Sequence, residues 1–185
     1  SITLAGGMQN LTATVENVNG TAIDDDPSDD SQTISVNAVT PAAGKLVIGE
    51  EGTGTWCGWC PRGAVALDWM EHDYHGYFQG IAVHNGDPMT VTDYDAAMGN
   101  LIGGYPGGFV DRGPEIDPSN FKGDFMQRIT VAPTATILNG AELNGNTLNV
   151  SLTASFDQDI SGSWALACVL IEDSVTGMSA GYSQN

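Results

Sequence analysis

The chain has 185 residues and carries 23 acidic against 5 basic side chains, a net charge of −18 at pH 7. So few cations exclude a nucleic-acid binder, whose phosphate contacts need Lys and Arg, and argue against docking on anionic lipid headgroups. With 41% hydrophobic residues the chain can build the core of one or two domains, and no apolar run approaches the roughly 18 residues of a membrane span.

Residues 1–41 read as β. Leu11, Ala13 and Val15 alternate with Thr12, Thr14 and Glu16, and Ile34, Val36 and Ala38 alternate with Ser35 and Asn37. Period two marks half-buried strands, and Asn19-Gly20 is a turn signal. Two strands alone do not make a stable sheet, so this segment is expected to form part of a sandwich. Between the strands, Asp24 to Asp30 holds five carboxylates in seven residues. Such a run is a solvated loop. Its spacing fits no EF-hand loop, and no metal site is expected in the chain.

Pro41 to Gly44 reads as a linker, and Lys45 to Glu51 as a strand. Cys57 and Cys60, two of only three cysteines, follow that strand and precede a helical pattern. C-x-x-C on a strand-to-helix turn reads as a dithiol/disulfide redox site. The free N–H groups and partial positive charge of a helix N-terminus stabilise a thiolate, the attacking species. In this reading Cys57 attacks, and Cys60, one turn into the helix, resolves the mixed disulfide. A zinc half-site and a purely structural disulfide are the rival readings. Exposed Trp56 and Trp59 beside a reactive centre can hold a partner's apolar surface, or they can simply pack. Pro61 is tolerated in the first turn. Ala66, Trp69, Met70, Tyr74 and Tyr77 give the helix its apolar spacing.

Gly80 to His84 is a second strand, so strand, helix and strand imply a parallel crossover. Thr92 and Asp95 resemble a capping box opening a helix with Tyr94, Ala97, Met98 and Leu101 on one face. A Gly- and Pro-rich turn at 103–108 leads to a short strand from Phe109. Asp117-Pro118 then caps a helix striped by Phe121, Phe125 and Ile129. In the tail, Ala135 to Leu138 and the cleanly alternating Leu148 to Phe156 are strands, joined near Asn144-Gly145. Trp164 to Ile171 is apolar on both faces, the pattern of a central strand, with Cys168 as a small buried hydrophobe. The uncapped end is expected of a segment cut from a longer protein.

Trp56-Cys57-Gly58-Trp59-Cys60, taken with Gly104-Tyr105-Pro106 before Phe109-Val110, resembles the thioredoxin superfamily. Glu50 to Gly63 and Ile81 to Met89 look closest to the outer-membrane-protein-related thioredoxin-like proteins of Gram-negative bacteria. The resemblance covers roughly residues 44–130. It implies an α/β, thioredoxin-like fold at 42–133, flanked by the β segment at 1–41 and a β-meander extension at 134–185. A clear fourth strand is missing unless a short one lies near Arg112 to Ile116. The resemblance also implies a cis Tyr105–Pro106 bond shaping a substrate groove, and a buried acid at Glu51 that relays protons to Cys60. The expected function is a thiol-disulfide oxidoreductase with Cys57 and Cys60 as its redox-active disulfide and no other cofactor. Its partners are protein thiols or disulfides, and its place is the cell envelope, in the periplasm or at the outer membrane. The alternative is a cell-surface binding module whose thioredoxin-like unit is not catalytic. A metal-handling dithiol ranks third.

Overall fold

The computed structural model describes residues 6–22, 26 and 28–184. The chain divides into two compact units, one up to Thr40 and one from Pro41 onward.

In the first unit β1 (Gly7–Thr14), β2 (Asn17–Val18), β3 (Thr21–Ala22) and β4 (Ser31–Ala38) form two separate two-stranded sheets, β1 with β4 and β2 with β3. Both pairings are antiparallel. Asn19 and Gly20 have φ of 52° and 78°, the two left-handed positions that a type I′ turn requires. The alternating pattern gives the strands, and Met8 and Ile34 on them are exposed; among the described residues of this unit each sheet has two strands. Asp24, Asp25 and Pro27 of the acidic run lie outside the described residues.

The second unit is mixed α/β. Strand β5 (Val47–Thr53) is central, with β6 (Phe78–His84) parallel on one side and β7 (Gly107–Val110) antiparallel on the other. Helix α1 (Pro61–Asp73) makes the β5–β6 crossover, α2 (Thr92–Gly99) leads to β7, and α3 (Phe121–Arg128) follows it. Alternation along β5 sorts the two faces. Gly49 and Glu51 look toward α1 and α3, where a side chain added at Gly49 would strike the Phe78 ring. Glu50 and Gly52 look toward α2, where Tyr94, Met98 and Ile102 lie. The stripe Phe121, Phe125 and Ile129 is buried as its spacing predicts. Phe78 meets the Phe121 and Phe125 rings at 6.3 and 6.0 Å. At about 1.5–3 kcal/mol per buried large side chain, these contacts seat α3 on the sheet.

Three local readings change. The buried face of α1 is Gly63, Leu67 and Met70, while Trp69 is exposed. The capping box at Thr92 does not form, because Val91 is the N-cap and no side chain caps the helix. Asp95 instead accepts from the Asn85 amide at 2.9 and 3.0 Å and from the Tyr105 hydroxyl at 3.5 Å. The missing fourth strand is reduced to a single antiparallel bridge between Gly108 and Ile116. Their backbones exchange two hydrogen bonds of 2.9 Å.

The tail begins with an antiparallel hairpin, β8 (Ala135–Asn144) and β9 (Thr147–Phe156). Asn144 pairs with Thr147 and Gly145 has φ of 60°, so Gly145 and Asn146 form the turn. The expected meander stops at these two strands. Trp164 to Ile171 has no strand pairing, its large side chains are exposed, and Cys168 is exposed as well. A run apolar on both faces needs cover on both faces; the Phe156 ring of the hairpin meets Trp164 edge-on at 6.0 Å, which leaves the run's large side chains exposed. No helix among the described residues is long and apolar enough to cross a membrane.

Candidate active site

The end of β5 and the start of α1 hold the two cysteines. Cys57 and Cys60 are joined in a disulfide with an S–S distance of 2.10 Å. Successive turns wind the backbone into the helix. Cys57 N–H donates to Gly54 C=O at 3.0 Å, Cys60 N–H to Cys57 C=O at 3.2 Å, and Gly63 N–H to Cys60 C=O at 2.9 Å. Cys60 is the N-cap, Pro61 follows it, no side chain caps the helix, and its first turn holds no acidic residue. The disulfide thus faces the positive end of the α1 dipole, with no acidic residue in the helix's own first turn.

Both cysteines are almost fully covered. Cys57 is 5% exposed and Cys60 1%, so the attacking position is hardly more open than the resolving one. The aromatic neighbours are more open, Trp59 at 73%. Trp56 is anchored, its indole N–H donating to Asn85 C=O at 2.7 Å and its ring meeting Tyr105 edge-on at 5.4 Å. Through that contact the Tyr105–Pro106 loop is brought beside the cysteine turn. The Tyr105–Pro106 bond is cis, and the pairing of Gly52 with Gly107 sets the loop at the C-terminal end of β5. Arg62 turns away to Asp117 at 2.5 Å and lies over the Trp59 ring at 5.7 Å.

Beneath the first turn of α1 lies Glu51, with none of its surface exposed and neither carboxylate oxygen in regular hydrogen-bond geometry with a partner. Burial pushes its pKa up to about 8; the nearby Arg62 charge and the Thr53 hydroxyl pull the other way, and the Asp117 charge adds to the rise. A carboxyl in that state holds a proton near neutrality and can give or take it. Its space exists because residue 63 is glycine. A Cβ at that position would sit 1.9 Å from Glu51 Oε1.

Glu50, on the opposite face of β5, is equally buried but satisfied. Arg112 grips it through two guanidinium nitrogens, and the Tyr94 hydroxyl donates to Oε1 at 2.5 Å. Burial and then the Glu50 carboxylate push the Tyr94 pKa up to about 12. Arg112 reaches this position from two successive left-handed residues, Asp111 and Arg112, with φ of 49° and 52°. Adjacent carboxyls on one strand therefore have opposite environments, one ion-paired and one isolated.

A second organiser is Asp87, which sequence reasoning did not single out. Its Oδ2 accepts from Thr55 N–H at 3.0 Å and meets His84 Nδ1 at 2.7 Å, while Oδ1 accepts from Met89 N–H at 2.9 Å. Burial raises its pKa, but these hydrogen bonds outweigh burial and hold it below the usual carboxylate value. Asp87 ties the β6 loop to the approach of the cysteine turn. The signal was Asn85-Gly86-Asp87-Pro88, since Asp in a turn bonds the backbone two residues on. His84 serves this network, and His72 and His75 are exposed on or just beyond α1. Among the described residues no group of three or more His, Cys, Asp or Glu could hold a metal.

The sequence matches no protein-family model, and no curated protein matches it. Among solved structures it is similar to HBP35 of Porphyromonas gingivalis, at 22% identity and a TM-score of 0.43, over 61% of this chain and 43% of that one. It is also similar to a protein of Agrobacterium tumefaciens, at 16% identity and a TM-score of 0.41, over 61% of this chain and 57% of that one. The chain thus spans about half the length of these proteins.

Proposed function

We propose that this protein is a thiol-disulfide oxidoreductase of the thioredoxin superfamily, acting on protein thiols or disulfides in the cell envelope. Its catalytic unit is 42–133, and 134–185 is an extension. The carrying observation is the Cys57–Cys60 disulfide at an uncapped helix N-terminus above an isolated, buried Glu51. In the reductive direction the Cys57 thiolate attacks one sulfur of a substrate disulfide. A mixed disulfide forms and one substrate thiolate leaves. Glu51, once ionised, takes the proton of Cys60, and the Cys60 thiolate attacks Cys57 Sγ. The second substrate sulfur leaves and the Cys57–Cys60 disulfide closes. The substrate has gained two electrons and the enzyme has lost them. Oxidation of a substrate dithiol runs the same steps backwards. Trp56, Trp59, Tyr105 and Pro106 form the surface a substrate meets. An envelope setting accords with the acidic composition and the family resemblance.

The test is insulin reduction followed by turbidity, with mass spectrometry of trapped adducts. Wild type should reduce insulin and Cys57→Ser should not. Cys60→Ser should accumulate a mixed disulfide through Cys57. A wild type without activity, or more adduct on Cys57→Ser than on Cys60→Ser, contradicts the proposal.

A further inference from the structure

A segment far along the chain lies against the cysteine turn. Ala180–Tyr182 makes a single turn of 3-10 helix between Ser179 and Ser183, both extended. The Thr55 hydroxyl donates to Gly181 C=O at 2.9 Å. The Gln184 side-chain amide donates to Cys57 C=O at 2.8 Å and to Gly54 C=O at 3.5 Å. Gly181 packs so tightly that a Cβ there would lie 2.9 Å from Pro88 Cγ. The contacts therefore fall on Gly54, Thr55 and Cys57 and on the Asp87-organised loop beside them.

Two features give this contact a meaning beyond packing. The acceptors it uses are backbone carbonyls of the turn that carries Cys57, each already bonded once within the turn. A carbonyl has a second lone pair, and an arriving peptide uses such groups through its own N–H donors. The Gln184 amide supplies that kind of donor from within the chain. Moreover Ser179 to Gln184 carries no charge in a chain of net charge −18. The seat lies beside the carboxylate of Asp87, an environment that accepts neutral or basic segments and repels acidic ones. The low exposure of Cys57, next to freely exposed Gly58 and Trp59, accords with a segment lying over this side.

We propose that Gly54, Thr55, Cys57 and Pro88 form a seat for an extended, neutral or basic polypeptide segment, and that Ser179–Gln184 occupies it as an intramolecular strap. A partner must displace the strap to bring its sulfur to Cys57. The proposal rests on Cys57 being the attacking thiol, but its test reads access and not turnover.

The full-length chain is reduced and alkylated with iodoacetamide, and the rates at Cys57 and at exposed Cys168 are read from the same sample. Gln184→Ala removes the donor, and Gly181→Val drives the strap off Pro88. Each should raise the Cys57 rate relative to Cys168 about fivefold, the loss of roughly one net hydrogen bond from the closed state. A synthetic peptide of residues 177–184 at millimolar concentration, comparable with a tethered segment, should lower the Cys57 rate of Gly181→Val again. Ratios that match wild type in both variants overturn the strap. A Gly181→Val rate indifferent to the peptide overturns the seat. Raised ratios in a protein that never reduces insulin would keep the strap and remove the oxidoreductase reading.

Discussion

Replacing Glu51 with Gln separates the buried carboxyl from everything else in the fold. The wild-type side chain has the ordinary carboxyl pKa of 4.5 in the unfolded chain and is pushed up to about 8 in the folded one, because burial disfavours its charge. Between these values the folded state holds a proton that the unfolded state has released. Stability rises with pH only where the unfolded state binds more protons, so here it falls. The stability associated with the protonated carboxyl is fully present below 4.5 and is lost as pH rises through 8. From pH 5 to pH 7 the loss is about 2.5 kcal/mol, at 1.36 kcal/mol per unit of difference. Gln at the same position has no such dependence. Urea unfolding of the oxidised proteins, followed by tryptophan fluorescence at several pH values, gives the difference between wild type and Glu51→Gln. All other titrations are common to both and cancel. The stability of Glu51→Gln relative to wild type should increase by that amount across the window. Curves that stay parallel from pH 5 to 8 would refute a buried, isolated Glu51.

Two further substitutions probe how the site is held. Gly63→Ala should destabilise by about 1–3 kcal/mol through overpacking, because the added methyl falls on the Glu51 carboxylate. Glu51→Ala in the same chain should restore most of that in urea midpoints, whereas a fault in the helix itself would persist. Arg112→Ala should cost about 1–3 kcal/mol by leaving the buried Glu50 carboxylate with Tyr94 alone, the lower half being expected because Arg112 is half exposed. Arg112→Lys should recover only part in the same assay, since an ammonium cannot grip both oxygens as a fork.

The sequence exposes the parts of this fold that rest on local rules. Cys57 and Cys60 on a strand-to-helix turn, Asp117-Pro118 opening a helical turn, the Phe121–Phe125–Ile129 stripe and the Asn19-Gly20 turn each follow from spacing or backbone preference. What stays hidden depends on cover from distant elements. The burial of Glu51 was implied by resemblance and not by its own surroundings in the sequence, because it needs α1 to lie over it, and the decisive residue is Gly63, whose importance is the absence of a side chain. Arg112 reaches Glu50 only because two successive residues turn left-handed, which no pattern announces. Trp164 to Ile171 shows the converse. Its composition describes a buried strand, but it pairs with no strand among the described residues and its large side chains stay exposed. The strap at 179–184 was illegible for the same reason, since its partners lie 127 and 126 residues away along the chain.

The central claim is that the Cys57–Cys60 disulfide is a working redox couple and not a structural staple. The direct measurement is its reduction potential, from equilibration of the protein in glutathione and dithiothreitol buffers and quantitation of the dithiol by alkylation. The account predicts reversible interconversion with a potential in the range of disulfide oxidoreductases, about −270 to −120 mV. A potential below about −300 mV, the range of structural disulfides that resist the glutathione pool, would contradict it.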